Sequence, residues 1–113
     1  MNEQAWTERM IAALKTTKVS GLAVLGDDVI YPVTIWHHLC YRQETDPVAF
    51  RAAWLLEYIA YRYPDRFSTV LPVFLQAMHE QRNVSCQRHF TKILMRVTSR
   101  SAPDVYRDHY RQA

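Results

Sequence analysis

Hydrophobic positions recur along most of this chain at three- and four-residue intervals, the spacing that gathers side chains on one side of an α-helix. Trp6, Met10, Ala13 and Leu14 share such a face and predict a first helix over 2–16, with Asn2 as its N-cap and Glu3 in its first turn. The stretch TTKVSGLAVLGDD, which follows, holds both glycines and has no clear period, so it reads as a connection with one short helix near 18–25. Val29, Val33, Trp36 and Cys40 fall at i, i+4, i+7 and i+11 and predict a second helix from Asp28 to Gln43, with Pro32 near its start. The third helix is bounded by Asp46 as cap, Pro47 in the first helical position and Pro64 at the end. Its run, VAFRAAWLLEYIAYRY, is apolar on more than one side, which calls for neighbours on two faces. A fourth helix over 64–81 turns Phe67, Val70, Leu71, Phe74 and Met78 inward, with Pro72 in its middle as an expected kink. Asn83 caps a fifth helix, VSCQRHFTKILMRVT, whose core positions are Phe90, Ile93, Leu94 and Val97. A short last helix starts at Pro103, with Asp104 in its first turn.

Two internal matches organise these elements. IYPVTI at 30–35 resembles VLPVFL at 70–75, and TDPVAFRAAWLL at 45–56 resembles RNVSCQRHFTKI at 82–93. In the second match a capping Asp46 or Asn83 precedes Arg51 or Arg88 by five residues. Each unit is then a Pro-bearing helix, a turn and a capped helix with an early arginine, at a period of the HEAT and armadillo kind. The pattern resembles the HEAT-like family, most of all in DPVAFRAAWLLEYIA. The stretch from FRAAWLL to HFTKIL is similar to short bacterial HEAT-like proteins of unassigned role, over residues 28–98, although those are commonly longer than this chain. Some of them carry an adenylosuccinate lyase label. The serine-rich loop with a Lys/Asn/Pro signature that such a lyase uses has no counterpart here, so no lyase activity carries over. The resemblance implies an all-α, right-handed superhelix of about two helical hairpins within a single domain over 1–113. In it, 2–26 form a leading helix and connection, 27–63 the first repeat, 64–98 the second, and 99–113 a basic tail or short capping helix.

Composition narrows the class. A chain of 113 residues with 49% apolar content suits one domain with a packed core, and only two glycines leave little material for hairpin turns. The formal charge of +3 is uneven, −1 over 1–56 and +4 over 57–113. Cys40 and Cys86 form no CxxC pair, and the acidic, amphipathic start MNEQAWTERM is not a signal peptide. AAWLLEYIAY, interrupted by Glu57, is too short for a membrane span. The expectation is a cytoplasmic protein with reduced thiols and no membrane association.

Candidate chemistry is sparse. WHHLC packs His37, His38 and Cys40 together, but neighbours on a helix point about 100° apart, and only His37 and Cys40 share a face. Cys86 and His89 form a second such pair. The two pairs could close a Cys₂His₂ site only if helices two and five met through those faces, so no metal and no cofactor are expected. Glu57 has no second placed acid or histidine in the sequence, which leaves catalysis without its other half, and no enzyme activity is expected. Arg88, Lys92 and Arg96 form an i, i+4, i+8 row, with Arg51 in the matching place one unit earlier. Tyr58 and Tyr61 add stacking surface beside them. The resemblance places such second helices on the concave face. Arg51, Tyr58, Arg88, Lys92 and Arg96 are therefore the expected contact surface of a non-catalytic scaffold for a protein or peptide, with nucleic acid as the alternative partner. Self-association through an uncapped end of the stack is a further expectation. Tyr63, Tyr106 and Tyr110 are expected at the surface, and VYRDHYRQ has the composition of an interface hot spot.

Overall fold

The computed structural model describes residues 1–42 and 47–111, with side chains through 109. Among them every regular element is helical. Helix α1 (Glu3–Thr16) opens where the Asn2 side chain accepts from the Ala5 N–H, 2.8 Å away. A 3-10 turn at Val19–Gly21 leads into α2 (Leu22–Asp27), which lies where the short connecting helix is expected.

Helix α3 (Val33–Leu39) is much shorter than the expected second helix. The Asp28 carboxylate accepts from the Ile30 N–H at 3.1 Å, a local turn that competes with helix, and Pro32 allows α3 to begin only after it. Val29 consequently leaves the buried stripe and is 79% exposed, while Val33, Trp36 and Cys40 keep to it. Gln43 and the expected cap Asp46 lie outside the described residues. Helix α4 (Val48–Arg62) follows Pro47 and stops at Tyr63, just before Pro64.

The expected helix over 64–81 is three pieces: α5 (Pro64–Phe67), α6 (Leu71–Ala77) and a 3-10 turn at Met78–Glu80. Pro72 does not kink a continuous helix; it sits in the first turn of α6. There its missing N–H is harmless, whereas in an unbroken helix its ring would meet the Ser68 carbonyl. Ser68 and Thr69 donate their hydroxyls to the carbonyls of Asp65 and Arg66, closing α5 from within. Helix α7 (Val84–Thr98) starts as expected, with the Asn83 side chain accepting from the Cys86 N–H. Helix α8 (Asp104–Arg111) ends the fold.

Helix α4 is the hub, packed against α7, α3, α2, α5 and α1. Four buried alanines, Ala49, Ala52, Ala53 and Ala60, let these neighbours approach closely. An aromatic cluster fills the space beyond: Phe74 meets Phe90 at 5.0 Å and Phe67 at 5.6 Å, and Phe67 meets Tyr106 edge-on. Tyr106 is fully buried rather than at the surface, because its hydroxyl donates to the Ala60 carbonyl at 2.6 Å and so satisfies the end of α4. No helix among the described residues is long and apolar enough to cross a membrane.

Tyr106 is one case of a wider device. The last carbonyls of a helix lack partners within it, and here side chains from distant elements supply the donors. Arg51 Nη1 donates to the carbonyls of Leu14 and Thr17 at the end of α1, at 2.6 and 2.8 Å. Arg66 Nη1 donates to Gly26 at the end of α2. Gln81 Nε2 donates to Cys40 at the end of α3, and the Tyr41 hydroxyl donates to Ala77 at the end of α6.

Candidate functional site

Helix α4 leaves one stripe uncovered between α2 and α7. Phe50, Trp54, Glu57, Tyr58, Tyr61 and Arg62 occupy it at the i, i+3, i+4 spacing of one helix side. All but Phe50 line an open groove of about 510 Å³. Trp54 and Tyr58 stack nearly parallel, with centroids 5.6 Å apart and planes 9° apart. The Tyr58 hydroxyl donates to Asp27 at 2.7 Å, and Tyr63 donates to the same oxygen. Gly26 makes this approach feasible, since a Cβ there would stand 2.7 Å from the Tyr58 ring. The Tyr63 and Tyr58 hydroxyls hold the Asp27 carboxyl below its ordinary range, and the bond to Asp27 raises Tyr58 in turn.

The other wall is α7. His89 Nδ1 lies 2.7 Å from Glu57 Oε1, with both side chains largely covered, and the His89 ring leans on Phe50 at 5.3 Å. The Tyr61 hydroxyl donates to the Lys92 carbonyl at 3.1 Å, and the Arg96 guanidinium lies 5.3 Å from the Tyr61 ring centre. Arg62 is drawn toward Asp27, 3.8 Å away. The groove is thus a flat aromatic floor with one carboxylate in it, whose rings are fixed by their own hydroxyls. Among the described residues the His89 ring is hydrogen-bonded to Glu57 and to no serine, threonine or cysteine.

Of the residues expected on one contact surface, Tyr58 lines the groove, the Arg96 guanidinium borders it over the Tyr61 ring, and Lys92 meets it only through the backbone carbonyl that accepts from Tyr61. Arg88 stands exposed one turn earlier on the same helix. Arg51 is not beside them: its guanidinium is turned into the end of α1. The sequence match between Arg51 and Arg88 therefore does not extend to their surroundings. The sequence pattern does not single out Trp54 or Arg62, and it shows no partner for Glu57, which the fold supplies in His89. A helical projection of 50–62 carries the signal for all three, four aromatic rings and a carboxylate on one side.

The candidate ligands of WHHLC and of Cys86 and His89 have separate surroundings. The His37 ring is 7% exposed and packs among Tyr41, Phe74 and Phe90, and burial pushes its pKa down to about 4. The Cys40 thiol points at the Trp36 carbonyl and the Cys86 thiol at the Ala49 carbonyl. Burial raises both thiols, Cys86 to about 11. His89 belongs to Glu57. Among the described residues no group of three or more His, Cys, Asp or Glu side chains is placed to hold a metal ion.

Two other features of the surface offer less. A depression of about 560 Å³ between α1 and α3 is rimmed by Glu3, Gln4, Glu8, His38 and Arg42, with Ile11 its apolar side chain. The outer face of α7 exposes Gln87, Arg88, Thr91 and Lys92 between Val84 and Met95, a mostly polar end. The Tyr110 side chain of the tail lies outside those described. No protein-family model, curated protein or solved structure matches the chain.

Proposed function

We propose that the chain is a non-catalytic scaffold module that binds a polypeptide in the groove along α4. Its frame would be two HEAT-like helical pairs, α3–α4 and α6–α7, behind the leading α1 and α2. Reciprocal capping supports that frame. Tyr41, just after α3, reaches the end of α6, and Gln81, just after α6, reaches the end of α3. The first helices of the two pairs therefore end side by side, while α4 lies along α7, as neighbouring units of a stack do.

The observation that carries the binding role is the floor itself. Trp54, Tyr58 and Tyr61 are held by ring stacking or by their own hydroxyls, yet turn apolar surface to an open groove. Rigid aromatic side chains of this kind anchor a partner at low entropic cost. A second reading, single-stranded nucleic acid, draws on the same rings and on Arg88, Lys92 and Arg96. Glu57 favours the polypeptide. Its carboxylate in the floor repels phosphate but accepts from peptide N–H groups, which a phosphodiester backbone lacks.

Peptides selected from a random display library on the native protein test this reading. They are expected to bind Tyr61→Ala and Trp54→Ala at least ~10-fold more weakly, and to keep their affinity for Thr91→Ala on the outer face of α7. Selected peptides indifferent to Trp54 and Tyr61 would remove the groove from the account. An oligonucleotide that displaces them with a steep salt dependence would transfer it to the second reading.

A further inference from the structure

We infer that the groove holds its peptide by one arginine side chain, whose guanidinium lies over Trp54 and Tyr58 and pairs with Glu57, an inference that rests on the polypeptide reading above. An aromatic face carries negative charge density and attracts a cation laid against it. This chain already uses that attraction beside the groove. Arg96 lies over Tyr61, and Arg62 and Arg66 lie over Tyr63, with the guanidinium carbon 5.3, 5.9 and 5.2 Å from the ring centre. Trp54 and Tyr58 line the groove, and no cation of the described residues lies over either ring. Their planes are within 9° of each other, so a flat group can lie parallel to both.

Glu57 supplies the charge that a cation there needs. It lines the groove with these rings, three residues after Trp54 and next to Tyr58. His89 Nδ1 occupies its Oε1 at 2.7 Å, whereas Oε2 takes no hydrogen bond from the described residues and is not sealed from solvent. A neutral imidazole donates one N–H and leaves the carboxylate its charge. The cations nearby are otherwise engaged. Arg62 is drawn to Asp27, 3.8 Å away, and Arg96 rests on Tyr61, one turn of α4 beyond Glu57. The Trp54 end of the groove therefore offers one open carboxylate oxygen and two ring faces with no lining cation of its own. Guanidinium fits all three. It is flat enough to stack, more weakly hydrated than an ammonium, and can donate an N–H to Oε2 while stacked. One open oxygen holds one arginine, and Arg62 and Arg96 at the other end repel a run of them.

Fluorescence anisotropy on the native chain tests the inference with a labelled seven-residue peptide of serine, leucine and glycine that carries arginine at its centre. Competing peptides replace that arginine by citrulline, which keeps the shape without the charge, by lysine or by glutamate, and oligothymidylate is a further competitor. The arginine peptide is expected to bind at least ~10-fold more tightly than the citrulline peptide and severalfold more tightly than the lysine peptide. Glu57→Gln keeps an oxygen for His89 and is expected to bring arginine and citrulline within ~2-fold of each other. Trp54→Leu is expected to remove the lead of arginine over lysine. Unchanged thermal melts verify that both variants keep the fold. Equal binding of arginine and citrulline, or tighter binding of glutamate, overturns the cation site while leaving a polypeptide groove in place. Lysine bound as tightly as arginine overturns the stacked guanidinium, and an arginine preference that survives Glu57→Gln overturns the assigned carboxylate. No binding by any of the peptides overturns the inference, with the library selection above deciding the polypeptide reading separately. Oligothymidylate as the one strong ligand overturns both.

Discussion

His37 is the residue whose burial has the sharpest consequence. Its imidazole sits among aromatic rings, its Nε2 has no hydrogen-bond partner among the described residues, and its pKa falls to about 4 from the usual 6.5. The unfolded chain protonates this histidine below pH 6.5 and the folded chain does so only below about 4. The unfolded state therefore binds more protons in that window, and stability falls as pH drops from 6.5 to 4, by up to about 3 kcal/mol. Urea unfolding at pH 7 and pH 4.5 is expected to show His37→Phe gaining on the wild type at the lower pH; a constant difference between them would contradict the assignment. Gly26 makes a second test. Alanine there collides with the Tyr58 ring, so Gly26→Ala should release Tyr58 from Asp27 and cost about 1–2 kcal/mol by chemical denaturation. At this scale the caps were legible, since Asn2 and Asn83 do what such side chains do before an apolar period. Tyr106 was not. The charged residues around it in VYRDHYRQ read as surface, and only the unmet carbonyl at the end of α4, some 46 residues earlier, explains its burial.

Helices in this fold start from local signals and end on distant ones. Prolines and asparagines mark the starts within the sequence, whereas the ends of α1, α2, α3, α4 and α6 are finished by Arg51, Arg66, Gln81, Tyr106 and Tyr41. Arg51→Ala is expected to cost about 1.5–3 kcal/mol, as loss of charged hydrogen bonds does, and to fray the end of α1. Arg51→Lys should recover only part of this, because one ammonium cannot reproduce the fork of a guanidinium. The measurements are the denaturation midpoint and amide protection of residues 11–17. This asymmetry also explains which element bounds could be read. The starts of α4, α7 and α8 follow from Pro47, Asn83 and Pro103, but the shortening of α3 and the division of 64–81 depended on weighing Asp28, Ser68 and Thr69 as rivals to helix. A period of 3.6 continues through such rivals unnoticed, because it registers where side chains point and not where backbone bonds are made.

For the molecule as a whole, the all-helical class was legible because two glycines and a sustained helical period admit little else. The groove was legible only in part. Arg88, Lys92 and Arg96 form a row visible in sequence, but its floor appears only when α4 is seen to be covered by α3, leaving the Trp54 side open. Tyr106 fastens the last helix to this body. Tyr106→Ala is expected to cost about 3–5 kcal/mol, a large share of the 5–15 kcal/mol that holds a domain folded, and Tyr106→Phe about 1 kcal/mol. Urea midpoints separate the two. The side chains that finish the helix ends join residues 34 to 46 positions apart. Stacked helical proteins can open from either end, one unit at a time. Here each such opening would break hydrogen bonds between a helix end and a donor side chain in another unit. Native-state hydrogen exchange should then find α1, α4 and α7 opening at one shared free energy, as a single foldon rather than a graded series. A protein tied in this way resists partial unfolding and local proteolysis until the whole of it gives way.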